Sequence, residues 1–235
     1  MTPSAETLCL PFAGTDLELH PAGALLWPEE SLLAVADLHL EKGSSFAPTG
    51  QLLPPYDSED TLERLVTLAG ALGYRRILLL GDTLHDSRGP SRLSTAATAL
   101  WEQLTDLAEI IWVRGNHDGP TTLPSVTACH QWQKNGLTFL HELDPEGHEQ
   151  IAGHHHPVAR LTHRGTTVRR KCFVEDGNRL ILPAFGTYTG GLDVRDPAIE
   201  ILMQGEWRAH IVTRDRLVSV PGHKLVKPAM PASAP

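Results

Sequence analysis

Residues 109–118 have the sequence EIIWVRGNHD, a short apolar run that leads directly into a polar loop. The apolar part predicts a buried strand over Glu109–Val113, because short apolar runs of this length are typical of strands covered on both faces. Ser31–Ala36 and Arg76–Leu80 repeat the pattern, and each is followed by an aspartate, Asp37 or Asp82. Three strands therefore end in polar loops.

Helical periodicity separates these strands. Thr61–Leu72 has apolar residues at helical spacing, acidic residues before its start and Gly73 after its end, which predicts an amphipathic helix. A second helix is predicted by the apolar positions Leu93, Ala96, Ala97, Leu100, Trp101, Leu104 and Leu107.

The second half of the chain changes character and predicts strands separated by turns. These strands are predicted at Leu137–Leu140, Gln150–Ala152, Thr166–Glu175, Arg179–Leu182, Ile199–Met203 and His210–Thr213. A βαβαβ half followed by a strand-rich half indicates a layered α/β fold with two sheets. We expect a single domain over residues 1–220 and a disordered tail over residues 221–235, which is rich in Pro and Ala.

Side chains that bind metals occur in five loops of this predicted fold. The ligand set is Asp37, His39, Asp82, Asn116, His141, His154 and His156. Ligands collect beyond the carboxyl ends of strands in α/β sheets, so the loops are expected to meet at one edge. Seven ligands suffice for two divalent cations, with Asp82 as the carboxylate that contacts both. Imidazole and oxygen ligands without thiolate suit Mn, Fe, Zn or Co.

The spacing within the motifs adds detail. Asp37 and His39 are two residues apart, so in extended backbone they would face the same side, and His154 and His156 have the same spacing. His154 and His156 could serve one ion each. A lone Asp-x-His would usually arise by chance, and a lone histidine would usually be a surface or core residue. Five such elements in this order favour the dinuclear centre.

Two metal ions about 3.5–4 Å apart activate a water and orient a phosphate for in-line hydrolysis. They do not supply a proton to the leaving alkoxide. His117, next to a ligand, is the predicted general acid, and Asp118 is the predicted partner that orients its ring. His85 and Asn116 are predicted to contact the substrate, although a supporting role behind the ligands fits His85 equally well.

Composition limits the other possibilities. The chain has 235 residues, 41% of them hydrophobic, and no run approaches the ~18 apolar residues that a membrane helix needs. The three cysteines are widely spaced, which indicates neither a disulfide framework nor a metal knuckle and favours a cytoplasmic location.

A net charge of −8 argues against binding nucleic acid by bulk electrostatics, but metal ions would reverse the local field. The basic cluster Arg164, Arg169, Arg170 and Lys171 is either a polyanion groove or a charged strand edge.

The motifs D-x-H, G-D, G-N-H-D, a lone histidine and G-H-x-H, spanning residues 37–156, resemble those of the calcineurin-like metallophosphoesterase superfamily. That resemblance implies a four-layer αββα sandwich of two mixed sheets flanked by helices. It also implies one metal ion held by Asp37, His39, Asp82 and His156, and a second held by Asp82, Asn116, His141 and His154. Many members have an acidic residue where this chain has His85.

A narrower resemblance rests on DLHLEKG at 37–43, GDTLH at 81–85, and LPAFG at 182–186 leading to TGGL at 189–192. These segments are similar to the bacterial ligase-associated DNA damage response endonucleases. The resemblance implies a Mn-dependent phosphodiesterase that cuts single-stranded DNA and works with a DNA ligase, a helicase and an exonuclease.

Two other functions remain open at this point. One is a phosphodiesterase or phosphatase for a small nucleotide or other phosphoester. The other is a non-catalytic metal-binding component of a repair complex, which the retention of Asp82 and His117 disfavours.

Overall fold

The first sheet of the molecule carries the predicted strand–loop units. The computed structural model describes residues 6–46, 50, 53–54, 56–163 and 166–226. Seven strands lie in sequence order: β1 Leu8–Phe12, β2 Thr15–His20, β3 Ala24–Trp27, β4 Leu32–Ala36, β5 Arg76–Leu80, β6 Glu109–Val113 and β7 Val126–Cys129. Strands β1–β4 pair antiparallel and β4–β7 pair parallel. The carboxyl ends of β4, β5 and β6 therefore lie along one edge.

Three helices follow strands of this sheet: α1 Lys42–Ser45, α2 Asp57–Leu72 and α3 Thr95–Leu107. Gly73 ends α2 with a left-handed φ of 63°, a conformation that glycine adopts without steric cost. Ser94 caps α3 by accepting a hydrogen bond from the Ala97 amide at 3.0 Å. The apolar faces of α2 and α3 pack on the outer face of the sheet. Both predicted helices are confirmed, with α2 starting four residues earlier than predicted.

The second sheet has nine strands in the described part of the chain that follows β7. Its strands are β8 Gln131–Lys134, β9 Leu137–Leu140, β10 Gln150–Ala152, β11 Pro157–His163, β12 Thr166–Glu175, β13 Arg179–Ile181, β14 Leu192–Asp193, β15 Arg208–Val212 and β16 Leu217–Pro221. The order is β14-β11-β12-β13-β10-β9-β8, with β15 pairing β12 and β16. The parallel strands β9 and β10 point their carboxyl ends the same way. Short 3-10 helices occur at Pro28–Glu30, Gly89–Ser91 and Gly222–Lys224.

A hydrophobic core joins the two sheets face to face. Leu25, Leu78 and Val113 of the first sheet pack against Phe139 and Phe173 of the second. The outer face of the second sheet is covered by the short helix α4, Pro197–Glu200, and by the chain around it. The layer order is αββα, as predicted, and the fourth layer is thin.

The structure corrects two predictions. Ile199–Met203 is not a strand: Asp196 caps a helical turn by accepting from the Ala198 amide at 2.9 Å, and Pro197 occupies its first position. The predicted tail begins too early, because Pro221 ends β16 and Leu225 is buried in the outer core. Residues 227–235 lie outside the described part of the chain.

Candidate metal centre

Loops from both sheets meet at one edge of the sandwich. In the first sheet, the Asp37 amide donates to the Gly81 carbonyl at 3.3 Å and the His39 amide to the Asp82 carbonyl at 2.8 Å. Across the sheets, the His154 amide donates to Asp37 Oδ2 at 2.9 Å. These main-chain contacts fix the loops relative to each other, so side chains far apart in sequence converge.

One cluster of donors consists of Asp37, His39 and His156, whose ligand atoms lie within 4.8 Å of one another. The Nε2 atoms of His39 and His156 are 3.2 Å apart, and His156 Nε2 lies 3.6 Å from Asp37 Oδ1. Two imidazole nitrogens and a carboxylate oxygen thus face a common point.

A second cluster consists of Asp82, His141 and His154, again within 4.8 Å. His141 Nε2 lies 3.0 Å from His154 Nδ1 and 2.8 Å from Asn116 Oδ1. The amide oxygen of Asn116 therefore faces the same point as the two imidazoles.

Asp82 lies between the two clusters. Its Oδ2 is 3.7 Å from His39 Nε2, and its Oδ1 is 3.5 Å from His141 Nε2. One carboxylate thus presents an oxygen to each side, and the structure brings all seven predicted ligands together in the predicted groups.

The charges at this centre are not balanced by protein cations. Asp37 and Asp82 are buried, and among the described residues no Lys or Arg nitrogen lies within 4.0 Å of either carboxylate. Asp37 Oδ1 is buried without a hydrogen-bond partner. Burial, the His156 imidazole and Lys42 lower the pKa of His39 to about 2, so that its ring is neutral and can donate a lone pair. A buried carboxylate oxygen without a hydrogen-bond partner, beside the neutral His39 ring, fits a divalent cation, since buried charges require a partner.

The backbone at these ligands is unusual. Asp37, His39, Asp82, His154 and His156 all have positive φ angles, between 42° and 68°. Non-glycine residues rarely adopt this region, and such residues concentrate at functional sites. The backbone at Asp37 and His39 is therefore not extended, although both side chains belong to one cluster. The left-handed turns place His154 in one cluster and His156 in the other.

Two glycines allow the close approach of the loops. A Cβ on Gly81 would collide with the His141 imidazole, and a Cβ on Gly115 would collide with the Asp82 carboxylate. Gly81 also has a φ of 68°, which favours glycine. The Gly-Asp and Gly-Asn motifs thus have a steric reason as well as a chemical one.

His117 lies at the rim of the centre, with 41% of its side chain exposed. Its Nδ1 donates to the His85 carbonyl at 2.9 Å, and its Nε2 lies 3.9 Å from Asp82 Oδ2. The ring nitrogen that faces the centre is therefore Nε2, the position that the predicted proton donor requires.

Asp118 does not orient the His117 ring, contrary to the prediction. Its carboxylate accepts hydrogen bonds from the Leu84 amide at 2.8 Å, the Gly115 amide at 2.7 Å and the Trp112 indole at 3.2 Å. Burial raises its pKa to about 6, although the amide hydrogen bonds oppose this shift. Asp118 therefore ties the loop after β6 to the loop after β5, because its side chain turns inward from the rim.

His85 stacks on His117, with ring centroids 5.3 Å apart, and its Nδ1 lies 3.4 Å from His39 Nδ1. Burial and Lys42 lower the pKa of His85. Phe46 also stacks on His85, with ring centroids 6.0 Å apart. The segment 43–56 thus reaches the rim through Phe46, while its residues 47–49, 51–52 and 55 lie outside the described chain.

Sequence reasoning missed Glu142 and Lys42. Glu142 Oε1 lies 3.8 Å from His154 Nε2, the nitrogen that faces away from the cluster. Lys42 follows a left-handed turn at Glu41 and acts electrostatically on His39 and His85. Neither residue is itself a candidate ligand. Glu142 directly follows the ligand His141, and Lys42 lies three residues after the ligand His39.

The fold and the site define a metal-dependent phosphoesterase. The calcineurin-like phosphoesterase family matches residues 31–152, more than half of the chain, and the protein belongs to that family. The match covers β4 through β10 and so contains five of the seven candidate ligands. Within the described residues, no helix is long and apolar enough to cross a membrane.

A solved structure gives a more specific likeness. The chain is similar to the nuclease MPE of Pseudomonas putida, with 28% identity and a TM-score of 0.70, over 92% of this chain and 100% of that one. No curated protein matches this sequence significantly.

Proposed function

We propose that this protein is a phosphodiesterase with two divalent metal ions that cuts single-stranded DNA. The position of Asp82 carries the proposal, because its two carboxylate oxygens face separate donor clusters. A carboxylate that contacts both ions would hold them close enough together to act on one phosphate.

The donor residues would form two sets, one for each metal ion. Asp37, His39, Asp82 and His156 would hold one ion, and Asp82, Asn116, His141 and His154 the other. Bound ions would supply a nucleophile at neutral pH and neutralise charge that develops on the phosphate. Manganese is the proposed metal because of the resemblance to the ligase-associated endonucleases, and the imidazole and carboxylate ligands would also suit Fe, Zn or Co.

His117 would move the proton. Its Nε2 faces the centre and its Nδ1 is held by the His85 carbonyl, so the ring has a fixed direction. A protonated Nε2 can give its proton to the departing sugar oxygen. His85 and Asn116 would contact the phosphate oxygens, since the imidazole N–H of a histidine and the side-chain NH₂ of an asparagine can each donate hydrogen bonds.

DNA as the substrate is supported by the likeness to the Pseudomonas putida nuclease over nearly the whole of both chains. The segments that resemble the ligase-associated endonucleases extend the proposal to DNA repair beside a ligase, a helicase and an exonuclease. The net charge of −8 does not support DNA binding, so the DNA would have to be attracted by local positive charge at the site.

The test is cleavage of circular single-stranded DNA in the presence of Mn²⁺, with Asp82→Ala protein prepared identically as the control. A circle has no ends, so its conversion to linear fragments by the wild type alone establishes endonuclease activity at this centre. A double-stranded circle in parallel measures the preference for single strands.

Bis-nitrophenyl phosphate separates the two parts of the proposal. If this small diester is hydrolysed while circular DNA stays intact, the metal chemistry holds and the substrate is a small phosphoester. If neither substrate is hydrolysed by a folded, metal-loaded protein, the catalytic proposal is refuted and a non-catalytic metal-binding role takes its place.

A further inference from the structure

A small pocket beside the His156 turn contains two cations of strand β12. Its volume is about 180 Å³. The lining residues are Val158, Arg169, Lys171, Thr189, Gly190 and Gly191. The predicted basic cluster is therefore divided by the fold, and its member Arg164 lies outside the described residues.

Strand geometry causes the division. Successive side chains of a strand point to opposite faces, so Arg169 and Lys171 share a face while Arg170 points away. Arg169 donates to the Gly191 carbonyl at 2.7 Å, across the pocket. Lys171 donates to the carbonyls of Ala184 and Gly186 at 2.6 and 2.9 Å.

The pocket is electropositive. Among the described residues, neither Arg169 nor Lys171 forms an ion pair, and the nearby carboxylate of Asp193 is paired with Arg160 at 2.8 Å. Burial lowers the pKa of Lys171 to about 8, so its ammonium group remains charged at neutral pH. Asp37 acts on Lys171 electrostatically, but among the described residues no carboxylate lies within 4.0 Å of either cation, so the two cations can attract an anion to this pocket.

The pocket adjoins the metal centre through β11 and the loop before β14. Val158, in its wall, follows the candidate ligand His156 by two residues, and a Cβ on Gly191, also in its wall, would collide with the His156 carbonyl oxygen. The Leu192 amide, next to Gly191, donates to the His156 carbonyl at 3.2 Å. An anion in the pocket would thus lie within reach of the phosphate next to one held at the centre.

We propose that this pocket, the Arg169 pocket, binds the phosphate that flanks the scissile phosphodiester of a single strand. The inference rests on the proposed function and deepens it, because it separates an oligonucleotide from a small phosphodiester. The pocket suits one phosphate in size and charge, and a Cβ on Gly190 would meet only open space, so the strand can approach closely.

The experiment compares Arg169→Ala with Arg170→Ala, a matched control that removes the same charge from the next residue on the opposite face. The substrates are short thymidine oligomers whose linkages are uncharged methylphosphonates, apart from one central phosphodiester. Two further oligomers have a second phosphodiester, on the 5′ or the 3′ side of the first. Cleavage at the central linkage is identified by product length.

In the wild type and in Arg170→Ala, we expect the added phosphate on one side to raise kcat/KM by about three- to tenfold, the scale of a charge-assisted contact at a partly exposed site. Arg169→Ala should abolish this gain while cleaving the oligomer with one charge, and bis-nitrophenyl phosphate, at the wild-type rate. On natural single-stranded DNA, the slope of log KM against log salt should fall by about 0.7 in Arg169→Ala.

Two results would overturn the inference. One is a flanking-phosphate gain that survives Arg169→Ala. The other is an equal loss on every substrate, which would mean that the hydrogen bond from Arg169 to Gly191 only supports the loop. Failure of the proposed function itself is distinguishable, because the wild type would then cleave none of the oligomers.

Discussion

The position of Asp82 predicts that one conservative substitution weakens both metal sites at once. Asp82→Asn keeps the shape of the side chain and an acceptor for the His117 amide, which now donates to Oδ1 at 2.9 Å. It removes the negative charge and leaves only one oxygen. Matched controls are His156→Ala, which removes a donor from the first cluster, and His154→Ala, which removes one from the second.

The magnitude follows from linkage. At 100 times its Kd, a bound ion stabilises the fold by about 2.7 kcal/mol, which for a domain of this size raises Tm by roughly 5–10 °C. Loss of the shared ligand should weaken binding by at least about 100-fold, which removes most of that increase. In the absence of metal, the expected effect of Asp82→Asn on stability has the opposite sign. Asp82 is buried beside Asp37 without a Lys or Arg partner, so the uncharged asparagine should leave the metal-free protein at least as stable as the wild type.

The assay is thermal unfolding followed by circular dichroism, with and without MnCl₂ after removal of metal by a chelator. Calorimetric titration supplies the number of bound ions. We expect the wild type to bind two ions per molecule and each histidine variant to bind one. Asp82→Asn should bind neither ion with the affinity of the wild type.

A wild-type increase in Tm with MnCl₂ in Asp82→Asn would refute the shared role of this carboxylate. The shared role would also be refuted if Asp82→Asn lost one ion but bound the other with the affinity of the wild type. A metal-free Asp82→Asn protein that is much less stable than the wild type would contradict the charge argument separately.

His117→Ala should slow cleavage of DNA far more than that of bis-nitrophenyl phosphate, whose leaving group needs no proton, and equal losses of kcat would exclude a general acid here. Asp118→Ala leaves three buried donors unpaired and should lower the free energy of unfolding by about 3–5 kcal/mol in urea titrations, with a smaller loss in Asp118→Asn; equal stability of all three proteins would contradict this. Gly81→Ala should abolish Mn-dependent activity in a folded protein because its Cβ displaces His141, and wild-type kinetics would show that the loop adapts. Burial holds the pKa of Lys171 at about 8, below its usual 10.5, so the unfolded chain binds more protons between these values and stability should rise with pH across that range, by up to about 3 kcal/mol. Denaturant titrations of Lys171→Met should lack this rise, and an identical rise in both proteins would assign it to other groups.

Local patterns were sufficient for the parts of the fold that depend on neighbours in sequence. Arg76–Leu80 and Glu109–Val113 form strands with the predicted bounds, because apolar runs of this length are buried on both faces of a covered sheet. The early strands β1 to β3 were not predicted, since they alternate with polar residues or are short and their pairing is decided by the sheet. Ile199–Met203 has the apolar content of a strand, yet the cap at Asp196 and Pro197 starts a helical turn there.

The sequence by itself determined the ligand set, because donor type follows from residue identity and the strand-end position of Asp37, Asp82 and Asn116 follows from the apolar runs before them. The shared position of Asp82 was predicted from the sequence, and the two ligand groups were implied by the family resemblance. Only the tertiary structure decided the left-handed backbone at the ligands and the inward turn of Asp118 to three main-chain and indole donors instead of to His117. The physical reason is that the site joins loops that are distant in sequence, as in the contact of His154 with Asp37, 117 residues apart. Left-handed turns and the steric gaps at Gly81 and Gly115 set their geometry, and both depend on the packed neighbours.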